Sequence, residues 1–218
     1  MQYELFERDD VCEDEVGNVI YDDIKTINNQ LSKKDIKLVI KFLEEKTSNE
    51  ERGELYKILG IKGPKTSKEA GKKSYKPGYI GEGIVKFWYE HCKSDSTFIP
   101  HPKGYKKING KKLCPDGEID NKYLAEVKVR LFESSGTADE KIPGIPWKYQ
   151  WTCLEYNKKL IIFLLGDDEY RNKRFAQLIN GDIAPANLYE EKLVELERLI
   201  VERVVLGSEI IKDLKKLI

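Results

Sequence analysis

Apolar residues recur along the chain with two different periods, and the change between them divides it into elements. From Leu31 the spacing is helical: Ile36, Val39, Ile40 and Leu43 fall on one face behind Ser32, a residue type suited to an N-cap. Ser48 and Glu51 then form a capping-box pattern ahead of Leu55, Ile58 and Leu59, and Gly60 closes the segment. A third helix is expected where Ile84, Val85, Phe87 and Trp88 follow Pro77 and Gly78. The period changes to two around Cys114–Arg130. There Tyr123, Val127 and Val129 favour strand, and Asp120-Asn121 suits a tight hairpin turn. Side chains alternate along a strand, so Glu126 and Lys128 share one face and Ala125, Val127 and Val129 the other. Phe98, Ile99, Tyr105 and Ile108 are expected to supply a preceding strand, and the continuous apolar run Lys159–Leu165, ended by Gly166, a buried central one.

Further helices are expected from Thr137, where Thr137 and Glu140 repeat the capping pattern, and over Tyr170–Ile179, Leu188–Val205 and Ile210–Ile218. Leu193, Leu196, Leu199, Ile200 and Arg203 lay a stripe along the second-last of these, to face the sheet or a second subunit. Pro143–Trp151 reads as a loop. The sum is an α/β fold, a mixed central sheet of four or five strands flanked by helices, with a small helical N-terminal region. Residues 1–77 are expected to hold an acidic arm, the helical region and a basic linker, and residues 78–218 the main core.

Composition narrows the function classes. The chain has 218 residues with 38 basic and 38 acidic side chains, so the net charge gives no whole-molecule sign of a polyanionic partner. Local charge does. The stretch to Asp23 is acidic, whereas Lys57–Pro77 carries seven lysines against Glu69, and residues 101–113 carry lysines and one histidine but no acid. Cys12, Cys92, Cys114 and Cys153 stand far apart with no Cys-x-x-Cys pair, which indicates neither a zinc knuckle nor a disulfide framework and leads to an expectation of reduced thiols. The N-terminus lacks the basic flank and apolar run of a signal peptide, and no stretch is long enough to cross a bilayer. A cytoplasmic location without membrane contact follows as the expectation.

The chemistry concentrates on the hairpin. Its returning strand is expected to bring Asp116 to Glu126 and Lys128, a grouping of two carboxylates and an ammonium suited to a hard divalent cation and to phosphodiester cleavage. Asp116, Glu118 and Asp120 fall on one face of a regular strand, so alternation alone leaves Glu118 open as the second acid. The series Pro115-Asp116 followed by Glu126-Val127-Lys128 resembles the PD-(D/E)XK nuclease superfamily, over about Gly78 to Gly166. That resemblance implies a restriction-endonuclease-like core with Asp116, Glu126 and Lys128 catalytic and Glu82 as the helix glutamate before the first core strand. It further implies Asp116, Glu126 and Val127 as ligands of Mg2+, with Mn2+ able to substitute. The implied activity is endonuclease cleavage of double-stranded DNA, first as a homodimeric type II restriction enzyme. A repair nuclease or junction resolvase, or a non-catalytic DNA-binding protein on the same fold, are the alternatives. DNA contacts are expected from Lys72, Lys73, Lys106, Lys107, Ser135, Thr137, Lys148 and Tyr149. His101 has no second histidine near it in sequence, which sets aside a histidine-based metal finger.

Overall fold

The computed structural model describes residues 31–62, 75–129, 138–166 and 170–218, the side chains of 138–143 and 170–172 excepted. Helices α1 (Lys33–Glu44) and α2 (Asn49–Ile58) each begin on a complete capping box, Ser32 with Asp35 and Ser48 with Glu51, satisfying amides that a helix start leaves without partners. Gly60, at φ 64°, ends the second as expected. Helix α3 (Pro77–Cys92) opens with proline in its first turn. Strands β1 (Phe98–Pro100), β2 (Gly117–Ile119) and β3 (Tyr123–Val129) follow, then α4 (Ala138–Glu155), β4 (Lys159–Leu165), α5 (Tyr170–Asn180), α6 (Leu188–Ile200), β5 (Val201–Leu206) and α7 (Gly207–Leu214).

The five strands form one mixed sheet in sequence order, antiparallel from β1 to β3 and parallel from β3 to β5. The β2–β3 turn is built as read from the sequence. Asp120 and Asn121 both adopt left-handed φ, 52° and 54°, which a two-residue turn needs to follow the twist of its strands. Apolar clusters cover both faces of the sheet. Ala125, Val127, Ile161, Phe163 and Leu165 pack with α1, α2, α3 and α7, while Leu124, Leu160, Ile162 and Leu164 pack with α4, α5 and α6. Alternation along β3 therefore sends Glu126 toward the α4 side.

Four expectations are corrected. The helix read over Leu188–Val205 stops at Ile200, and Val201–Leu206 is an edge strand beside β4. Its Val201, Val204 and Val205 are β-branched and buried, and sheet packing outweighs the helical spacing that runs on through them. Pro143–Trp151 is not a loop but part of α4, whose Ile145 and Tyr149 are buried against the sheet. The strand expected from Phe98 to Ile108 is only three residues long, and Ile108 stands outside the core. Among the described cysteines, Cys92 and Cys153 are free, but Cys114 is disulfide-bonded, against the expectation of reduced thiols. Sequence spacing does not report which thiols meet in space. Among the described residues no helix is long and apolar enough to cross a membrane.

Candidate active site

Glu126 lies in mid-β3 and is the most buried acid of the described chain, 1% exposed. Burying a carboxylate is costly unless its oxygens are satisfied, and here three side chains do so. Lys128 Nζ, two residues along the same strand face, donates to Oε1; Lys148 Nζ approaches Oε1 at 3.3 Å; Tyr149 OH donates to Oε2. The last two come from α4. Because β3 and β4 are parallel neighbours, the chain must cross over between them, and α4 makes that crossing over the face that carries Glu126.

Asp116 stands just before β2, where its N–H donates to Ala125 O at 3.1 Å and its Oδ2 accepts from the Val127 N–H at 2.6 Å. The hairpin register, Gly117 opposite Ala125, thus sets Asp116 beside Glu126. Burial, then the charge of Glu126, then that of Glu82 push the Asp116 carboxyl well above the usual carboxylate range. Glu126 goes the other way. Burial opposes its charge, yet Lys148 and Lys128 beside it, with the Lys128 and Tyr149 hydrogen bonds, hold it below that range. The two neighbouring carboxyls are thus pushed in opposite directions, Asp116 up and Glu126 down. Tyr149 is held well above a normal phenol by burial and by Glu126, so it remains a donor.

Glu82 reaches the cluster from α3, on the opposite side of the sheet. Gly81 lets the helix come close, since a Cβ there would collide with Val129 Cγ2 on β3. Glu82 Oε2 lies 3.1 Å from His101 Nε2. His101 holds a left-handed φ of 46°, uncommon outside glycine, and its N–H donates to Asp116 O at 3.2 Å. The histidine set aside on sequence grounds therefore touches two members of the cluster.

The expected residues divide as follows. Asp116, Glu126, Lys128 and Glu82 come together. Of the two acids left open, Asp116 is the one beside Glu126; Glu118 instead accepts from Tyr105 OH and from Lys158 Nζ, the latter at 3.1 Å, in a separate cluster. Tyr149 and Lys148 were expected at DNA, but both meet Glu126, and Tyr149, 0% exposed, has no surface to offer a partner. The available signal was the crossing helix itself, which must lie on one face of β3. Lys106 and Lys107 lie in an extended pair of segments near the site, described below. Lys72, Lys73, Ser135 and Thr137 lie outside the described residues.

Among the described residues no three His, Cys, Asp or Glu side chains form a group able to hold a metal. The expected ligand set asks for less: two carboxylates, Asp116 and Glu126, and the main chain at Val127, whose N–H already reaches Asp116. Small hard cations keep several waters and commonly take only one or two carboxylates, and two carboxylates side by side repel each other less with a cation between them. The donor set fits. No protein-family model, curated protein or solved structure matches the chain.

Proposed function

We propose that the chain is a divalent-metal-dependent endonuclease of double-stranded DNA on a restriction-endonuclease-like fold, and within that class a type II enzyme cutting a short defined sequence. The observation that carries the reading is the cluster itself: Asp116, Glu126 and Lys128 meet on β3 and the start of β2, with Glu82 coming from α3 across the sheet. Asp116 and Glu126 would hold Mg2+ or Mn2+, which when bound supplies charge neutralisation at a phosphate under attack. Lys128, 29% exposed and fixed on Glu126, is placed to orient an attacking water as a hydrogen-bond donor. Tyr149 and Lys148 fix the Glu126 carboxylate, so that it need not reorganise during the reaction.

A two-fold dimer presents one site to each antiparallel strand. Helix α6 supports this reading. Leu188, Tyr189, Leu196 and Leu199 are exposed, and its buried face is Val194, Glu197 and Ile200 rather than the whole expected stripe. Lys192 and Glu195 flank the exposed face and already attract each other at 2.6 Å. In an antiparallel pair of α6 helices that sets Leu188 against the partner's Leu199, Lys192 falls opposite the partner's Glu195, so these four positions are self-complementary.

Asp116→Ala and Glu126→Ala are expected to abolish cleavage and weaken Mg2+ binding by calorimetry. Lys128→Ala is expected to abolish cleavage while keeping the metal. Full activity in a folded Asp116→Ala protein would overturn the assignment.

A further inference from the structure

Between His101 and Asp116, both in the cluster, the chain leaves the sheet and returns as a two-stranded ribbon. Lys106 and Lys112 form its bridge, Lys107 N–H donates to Lys111 O at 2.8 Å, and Leu113 N–H to Tyr105 O at 3.0 Å. Ile108, Asn109 and Gly110 close the tip, with Gly110 left-handed at φ 75° and Asn109 Oδ1 accepting from Lys111 N–H at 3.1 Å. The base is anchored. Tyr105 and Leu113 are buried, Tyr105 OH donates to Glu118, Thr152 Oγ1 to Lys106 O at 2.8 Å, and Tyr156 OH to Gly104 O at 3.1 Å. The ribbon is thus fixed to α4 and to the catalytic hairpin.

Its surface is unusual in two respects. Lys103, Lys106, Lys107, Lys111 and Lys112 stand on it without one acid, and Lys106 lies directly opposite Lys112. Like charges opposed across a ribbon destabilise it, and a polyanion relieves that repulsion. The tip, in contrast, is apolar: Ile108 is 77% exposed, the most exposed large hydrophobic residue described. A two-stranded ribbon fits the major groove of B-DNA, whose floor carries one apolar feature, the 5-methyl of thymine. The deep, narrow major groove of A-form RNA does not admit it.

We propose that residues 103–113 are a DNA-reading finger that enters the major groove beside the scissile phosphate, with the lysines on the phosphates of both groove walls and Ile108 against thymine methyl groups. The choice of duplex DNA rests on the nuclease reading. Beyond that reading, the finger supplies a source of base preference and ties it mechanically to the site, since its two ends are His101 and Asp116.

The test is fluorescence anisotropy in EDTA, where no cleavage occurs, on a mixed-sequence duplex and on the same duplex with uracil for every thymine. Wild-type protein is expected to bind the thymine duplex about fourfold more tightly, the equivalent of one buried methyl group. Ile108→Ala is expected to bind both equally with an unchanged salt slope. Changing Lys106, Lys107, Lys111 and Lys112 to alanine is expected to flatten that slope, by about 0.9 for each lysine that neutralises a phosphate. Equal wild-type affinity for the two duplexes, discrimination that survives Ile108→Ala, an unchanged slope in the lysine variant, or no binding at all each overturns the finger. Plasmid cleavage in magnesium is scored in parallel. Cleavage without thymine discrimination removes the finger and spares the nuclease reading; discrimination without cleavage does the reverse.

Discussion

Tyr149 shows how a single hydroxyl governs the site. Its OH satisfies one oxygen of a carboxylate that Lys128 and Lys148 hold by the other, and without it Glu126 keeps a buried oxygen with no donor. Tyr149→Phe is expected to lower kcat by about 10- to 100-fold, the usual cost of losing a group that orients a ligand, with the circular dichroism spectrum unchanged. Equal kcat in the variant would show that Glu126 needs no such support. A second buried acid, Glu197, lacks a partner for Oε2 among the described residues, and burial pushes its pKa up to about 7 from an ordinary value of 4.5. In this interval the unfolded chain releases the proton and the folded chain keeps it, so stability falls as pH rises from 4.5 to about 7 and the penalty is complete above that. Glu197→Gln is therefore expected to raise Tm at about pH 8 and leave it nearly unchanged near pH 4. A constant Tm difference across that range would contradict the buried, unpaired state. Asp116, Glu126 and Lys128 were legible in the sequence because a local hairpin brings them together. Tyr149 and His101 were not, since their places depend on where a crossing helix and the strand before the hairpin come to rest.

At the level of elements, the approach of α3 to β3 fixes where Glu82 stands. A Cβ on Gly81 would run into Val129 Cγ2, which leaves no room for a methyl group, whereas one on Gly83 would meet Ile61 and Leu59 at 3.0 Å and beyond, a tight but milder contact. Gly81→Ala is expected to push the helix off the sheet, lowering stability by about 1–3 kcal/mol, which for a domain of this size is a Tm loss of about 2–12 °C. A Tm equal to wild type would mean that the packing yields at no cost. Helix starts at Ser32 and Ser48 and the Asp120-Asn121 turn were readable because their chemistry is local to three or four residues. The end of α6 was not. Between Ile200 and Val201 stands no glycine, proline or capping residue, and the change to strand is imposed by the open edge of β4. The same misreading hid which side of α6 is exposed, since Leu196 and Leu199 face outward while Glu197 faces inward.

For the molecule as a whole, the sheet carries the carboxylate cluster on its central strand β3, the lysine finger leaves from that cluster, and α6 presents an exposed apolar face. If that face pairs with its copy, Leu196→Asp is expected to convert a sedimenting dimer to a monomer and to leave the far-UV spectrum intact; a wild-type monomer at all concentrations, with and without DNA, would contradict the dimer. The α/β class, one mixed sheet flanked by helices, followed from the period changes along the chain, whereas the order of the strands and the pairing of two surfaces leave no periodic mark. The central claim, metal-dependent cleavage of duplex DNA, is tested most directly by incubating the purified protein with supercoiled mixed-sequence plasmid in magnesium, with excess EDTA and with Glu126→Ala as controls. The account predicts discrete linear fragments in magnesium alone. Intact plasmid in all lanes, or equal cutting in EDTA or by the folded variant, would contradict it.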